Sequence, residues 1–130
     1  MATIDHIAKQ FELSVPTLHY YERAGLLPTI QRNAAGHRDY SEKDIEWIRL
    51  IQCFRRSGMS ISEIKKYVDL CRSEEDTIDQ RYELLLAQKN RVLAQIEIYQ
   101  SNLQVIQRKI ESYAKKKEEK HDPLNPVKKK

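Results

Sequence analysis

From Ile78 to Tyr113 apolar side chains recur at alternating spacings of four and three residues: Ile78, Tyr82, Leu85, Val92, Ile96, Tyr99, Leu103, Ile106, Ile110 and Tyr113, with Lys89 the only interruption. That alternation is the seam of a coiled coil, carried through five heptads. At ~1.5 Å per residue it describes a rod roughly 50 Å long. A domain of this size is too small to cover such a rod along its whole length. The seam therefore requires a partner helix, and a second copy of the chain is the simplest one. The flanking positions are mostly Gln, Asn or Leu, so charge along the seam does not set the strand orientation.

The residues before the rod break into short helices with readable ends. Thr3 caps a first helix whose apolar residues are Ile4, Ile7, Ala8 and Phe11. Glu12-Leu13 is a tight connection, Ser14 caps a second helix, and Pro16 is tolerated in its first turn. That helix runs to about Ala24, with Gly25 as a left-handed stop. Two short helices joined in this way form a helix-turn-helix. Residues 26–40 have no helical period and hold a turn signal at Asn33–Gly36, which predicts a small β-hairpin, or wing. Ser41 with Asp44, Ser60 with Glu63 and Thr77 with Gln80 read as capping boxes opening three further helices, at about 42–57, 61–71 and from 78. The expected organisation is a DNA-binding region over 1–72, a dimerisation helix over 77–113 and a charged, disordered tail over 114–130.

Charge supports that division. Residues 114–130 carry seven Lys against Glu118, Glu119 and Asp122, a net +4, so the remaining residues balance 16 basic against 16 acidic. A basic interface must therefore be local. The wing offers one, with Arg32, His37 and Arg38 and no acid between 28 and 38. The second helix carries Thr17, His19, Tyr20, Tyr21 and Arg23, whose hydroxyls and ring nitrogens suit phosphates and base edges. A helix-turn-helix, a wing and a dimerising helix in this order are the layout of a DNA reader. A Tyr-Tyr pair also serves as half-buried packing.

Other classes lack support. No apolar run approaches the ~20 residues that span a bilayer, and no leader opens the chain, so a cytoplasmic protein is expected. The four His are scattered singly, and no phosphate loop, nucleophile–base pair or metal-ligand spacing is present, so neither an enzyme nor a bound cofactor or metal is expected.

Two cysteines remain. Cys53 has Arg49 four residues before it and Arg56 three after, a setting that favours the reactive thiolate. The competing reading is a small buried residue among Trp47, Leu50, Ile51 and Phe54. Cys71 precedes the acidic Glu74-Glu75-Asp76, which opposes a thiolate, and a Cys53–Cys71 disulfide is a further alternative.

Residues 14–28, SVPTLHYYERAGLLP, and the wing RNAAGHRDY resemble the MerR family of bacterial regulators, and the likeness extends over about residues 3–113. It implies a mainly α protein, a winged helix-turn-helix dimer joined by an antiparallel coiled coil. It further implies promoter DNA with an overlong spacer, distorted by the activated dimer for RNA polymerase. The positions matching the family's DNA contacts are His19, Tyr21, Arg32, His37, Arg38 and Arg55. His19 replaces an Arg and His37 a Tyr, which shifts base preference because His makes no bidentate fork to guanine. The stretch around Cys53, IQCFRRSGMS, resembles the branch that answers aldehydes and nitrosative stress through one cysteine. Metal-sensing relatives place a Cys where this chain has Thr77, and no Cys follows Cys71, which counts against a metal-responsive regulator, the first alternative. A coiled-coil architectural DNA-binding protein without effector is a second.

Overall fold

In a computed structural model of the chain, described over residues 2–119, five helices and one hairpin follow in order. They are α1 (Ile4–Phe11), α2 (Val15–Arg23), β1 (Gln31–Arg32), β2 (Arg38–Asp39), α3 (Glu42–Arg56), α4 (Ile61–Arg72) and α5 (Ile78–Glu119). The expected helix ends are met by side chains where the sequence places them. Thr3 accepts from the His6 N–H, Ser14 from Thr17, and both capping boxes, Ser41–Asp44 and Ser60–Glu63, close reciprocally. Asp44 thus does the work of the usual Glu, and it is buried while doing so.

The core gathers one face of each short helix. Ile7 and Phe11 of α1 meet Leu18 and Tyr21 of α2, and Leu26, Leu27 and Ile30 of the connection. Ile48, Ile51 and Phe54 of α3 join Met59, Ile64 and Val68 on the other side. The hairpin is antiparallel, with Gln31 opposite Asp39 and Arg32 opposite Arg38. Its base is widened by Ala2, which exchanges both backbone hydrogen bonds with Tyr40 at 3.1 and 2.8 Å.

Two expectations are corrected. Thr77 does not cap α5: its hydroxyl donates to the Leu70 carbonyl at 2.6 Å, and Asp76 accepts from the Ile78 N–H instead. Nor does the chain lose structure after Tyr113. The helix continues through Ala114 and three lysines to Glu119, because Ala, Lys and Glu are strong helix formers whatever their charge. Of the expected tail, residues 120–130 lie outside the described residues.

The structure divides into two units, one reaching to Lys89 and the other beginning at Asn90. The first three turns of α5 thus group with the helix-turn-helix in packing. Among the described residues no helix is long and apolar enough to cross a membrane.

Glu12 ends α1 in the left-handed conformation, φ 55°, which glycine adopts without a Cβ clash. Glu12→Gly is expected to raise stability by about 1 kcal/mol, read as a higher urea midpoint at unchanged slope.

Candidate nucleic-acid interface

The wing is built around Asn33. Its side-chain oxygen accepts from the N–H groups of Ala35 and His37, at 3.0 and 3.1 Å, and Gly36 supplies the positive φ that closes the turn. Arg32 donates from Nη1 to the Gly36 carbonyl at 2.8 Å, so its head lies along the turn it helps to hold. Arg38 faces Arg32 across the strands, a like-charge pair that costs stability when nothing anionic is near. Part of that cost is relieved inside the chain. Arg38 donates from Nε to both carboxylate oxygens of Glu22 on α2, the closer at 2.9 Å. This ion pair braces the wing against α2. The Nη groups of Arg38 have no partner among the described residues.

On α2 the two adjacent tyrosines separate. Tyr20 is 43% exposed, whereas Tyr21 is 5% exposed and belongs to the core. Their rings meet at 6.2 Å between centroids. The ring of Tyr21 therefore packs in the core, and Tyr20 is the more open of the pair. The Thr17 hydroxyl is shared with Ser14 Oγ at 2.7 Å, which ties it to the helix cap. His19 is half-buried on the same helix, and His37 is exposed at the wing. Arg55 is exposed on the last turn of α3.

Three ties between distant segments escape sequence reading. Gln52 of α3 donates to the Phe11 carbonyl at 2.6 Å, and Arg49 lies over the Phe11 ring at 5.6 Å. Arg72, at the end of α4, donates to the carbonyls of Gly25 and Leu27, closing the turn after α2. Gln88 of α5 donates to Ser57. None leaves a local pattern, since each joins residues more than thirty positions apart.

Both cysteines are free thiols. Cys53 is exposed on α3, so the alternative of a buried packing residue does not hold, and Cys71 is half-buried. Burial first, and then the neighbouring Cys71 thiol, raise the Tyr67 pKa above its ordinary value. The Tyr67 ring packs edge-on against Phe54 and Trp47. Among the described residues no group of three or more His, Cys, Asp or Glu side chains converges. The seam residues of α5, Val92 apart, are exposed on the single chain, up to 73% at Tyr99. Leu93, Ile98 and Val105, which lie off the seam, are exposed as well.

Tyr40 lies at the wing's base, 1% exposed. Burial raises its pKa, and Glu22 adds to the rise while Arg38 opposes it. The unfolded chain ionises this group near its ordinary 10.0, below the folded value. Stability is therefore intact below that pH and is lost as pH rises through the folded value. Tyr40→Phe is expected to flatten this alkaline loss, measured as Tm in steps from about pH 9 to 11; Tyr67 accounts for what remains.

The chain is similar to several known proteins. A family model described as MerR HTH family regulatory protein matches residues 2–71, and a second, MerR, DNA binding, matches residues 45–113. The HTH-type transcriptional regulator AdhR of Bacillus subtilis is 41% identical over 90 residues, which is 69% of this chain and 64%, just under two thirds, of AdhR. An uncharacterized HTH-type transcriptional regulator of Haemophilus influenzae is 34% identical over 110 residues, 85% of this chain and 82% of that protein. Among solved structures, HiNmlR, a MerR family regulator lacking the sensor domain and bound to promoter DNA, superposes with a TM-score of 0.79 at 33% identity, covering 88% of this chain and 91% of its own. A MerR family regulator of Listeria monocytogenes gives 0.79 at 34%, covering 88% and 86%.

Proposed function

The chain belongs to the MerR family of helix-turn-helix regulatory proteins, and from that premise we propose that it binds promoter DNA as an antiparallel homodimer and is switched at Cys53 by thiol-reactive electrophiles, aldehydes among them. One observation carries the switch: Cys53 is exposed, two residues before Arg55, on the same last turns of α3. Likeness to HiNmlR, a MerR family regulator lacking the sensor domain, supports sensing within the short chain itself.

The contacts divide by chemistry. Arg32, the Nη groups of Arg38, Tyr20 and Arg55 serve the phosphate backbone, while His19 and His37 present ring edges to bases or sugars. Thr17, held by Ser14, contributes through its position at the start of α2 more than through a free hydroxyl. Two readers joined by the α5 seam match a two-fold site. Distortion of that site changes what RNA polymerase meets at the promoter.

The chemistry at Cys53 is simple addition. The sulfur bonds to the aldehyde carbon, the C=O π bond opens, and the thiol proton passes to the carbonyl oxygen, giving a hemithioacetal. The adduct adds bulk to the helix that carries Arg55. Packed helices respond by moving between discrete arrangements, so a small adduct has a large readout.

Three tests follow from this reading. Cys53→Ser is expected to bind operator DNA like the parent and to lose aldehyde induction in a promoter fusion, while Cys71→Ser keeps most of it. Parent-like induction in Cys53→Ser overturns the switch and leaves DNA binding standing. Arg32→Ala should lower the salt slope of binding by about one, as for one lost phosphate contact. Arg38→Ala should likewise weaken binding; each variant also loses a tie within the wing region, Arg32 to the Gly36 carbonyl and Arg38 to Glu22. Equal affinity in both variants would remove the wing from the interface. Charges placed at Ile96 and Leu103 should yield monomers in sedimentation and abolish tight operator binding. A dimeric double variant would put the interface elsewhere.

A further inference from the structure

The turn that ends α3 is held by a single side chain from α5. Gln88 is 6% exposed, and its Nε2 group donates to the Ser57 carbonyl at 3.0 Å and to Ser57 Oγ at 2.9 Å. Ser57 Oγ in turn donates to the Phe54 carbonyl at 3.0 Å, and the Ser57 N–H donates to the Cys53 carbonyl at 2.9 Å. One amide therefore holds, through one serine, the backbone of Cys53 and its neighbour. We propose that Gln88 is the positioning residue that couples the Cys53-bearing end of α3 to α5. This rests on the Cys53 switch proposed above and adds the route by which the adduct reaches the dimer helix.

Hydrogen-bond direction fixes how the amide sits. The Ser57 carbonyl only accepts, and the Ser57 hydroxyl has given its proton to Phe54, so both atoms call for a donor. Gln88 must present its NH₂ group to both. The consequence is at the other end of the amide: Oε1 is buried with no partner among the described residues. A buried acceptor left unpaired is costly, and leucine or methionine at this position would bury the same volume without that cost. The side chain is thus satisfied at its nitrogen only while Ser57 stays where it is, and at its oxygen not at all. An arrangement that displaces Ser57 breaks two bonds and frees the amide to pair Oε1. Such a residue holds two packings close in energy, which an element biased by a covalent adduct requires. Donor chains of this kind also strengthen one another, so Gln88, Ser57 and the end of α3 respond as a unit.

The test reads the amide directly. In the full-length protein carrying Cys71→Ser, iodoacetamide alkylates Cys53: the S–C bond forms, iodide leaves, and the thiol proton goes to buffer. The Gln88 side-chain NH₂ resonance should shift and its hydrogen exchange should speed by about tenfold; an unmoved resonance overturns the coupling. In function, Gln88→Met preserves length and volume but not the donors. It should stay dimeric, keep operator affinity within about twofold, and lose about tenfold of the aldehyde-induced change in promoter output. Ser57→Ala, which removes one of the two bonds, should fall between. Parent-like induction in Gln88→Met, with Cys53→Ser uninducible, overturns this proposal and leaves the switch intact. Should Cys53→Ser itself induce normally, the switch fails, and the amide resonance still decides whether α3 and Gln88 are coupled.

Discussion

Everything in the first unit is hung on α3. Its inner face, Ile48, Ile51 and Phe54, is the centre of the core, and its polar edges close the ends of the other elements. Gln52 satisfies the last carbonyl of α1, Arg49 covers the Phe11 ring, Phe54 carries the Tyr67 ring of α4, and Ser57 receives Gln88 of α5. Backbone groups at helix ends must find partners when buried: α3 supplies one for the end of α1 and receives one from α5 for its own end. On the coupling proposed above, a change at the end of α3 reaches both α1 and α5 through these contacts. The same helix carries Cys53 and Arg55, both exposed and, two residues apart, on different sides of it. An exposed thiol is thus one helix thickness from the core that orients the reader, which is the arrangement a chemical switch needs.

The wing is an element whose charges are not balanced within the chain. Arg32 and Arg38 stand directly opposite each other, and only the Nε edge of Arg38 is compensated, by Glu22. A strand pair this short has little hydrophobic burial to offset the repulsion. What holds it is Asn33, Gly36, the bridge from Ala2 to Tyr40 and the Glu22 brace. The remaining positive charge is left for an outside anion. On the function proposed above, the phosphates of a DNA backbone supply that anion.

How much of this is legible in the sequence depends on the range of the interaction. Caps act over three residues, so Thr3, Ser14, Ser41 and Ser60 mark helix starts correctly. Thr77 has the same local pattern, yet its hydroxyl goes to Leu70, because the α4–α5 connection brings that carbonyl within reach. The wing turn is legible from Asn33 and Gly36. The burial of Tyr21 but not Tyr20 is not, since it depends on which face of α2 meets α1. Lysine-rich composition after Tyr113 suggests a solvated tail, but helix propensity and an ongoing helix carry the fold to Glu119. The ties made by Gln52, Arg72 and Gln88 are invisible before folding, because a long polar side chain reaching a distant carbonyl leaves no periodicity.

The first turns of α5 show why one helix can serve both reader and dimer. Thr77, Leu84 and Gln88 turn toward their own domain, at spacings of seven and four, with Arg81 between them bound to Thr77. Ile78, Tyr82 and Leu85 lie one residue later and stay exposed for the seam. One residue is about 100° of rotation, so the two stripes share the helix without sharing atoms. The interruption of the seam at Lys89 falls beside Gln88, where the inward stripe ends. An apolar residue at 89 would let the seam begin its tight packing next to a buried polar clamp, and so lock the clamp in one arrangement. On the coupling proposed above, a lysine there would keep the seam loose at the level where α5 yields to the end of α3. On this argument Lys89→Leu should strengthen the dimer, as read by its dissociation constant in sedimentation, and weaken induction at the same time. An increase in both would mean that the seam and the clamp are independent.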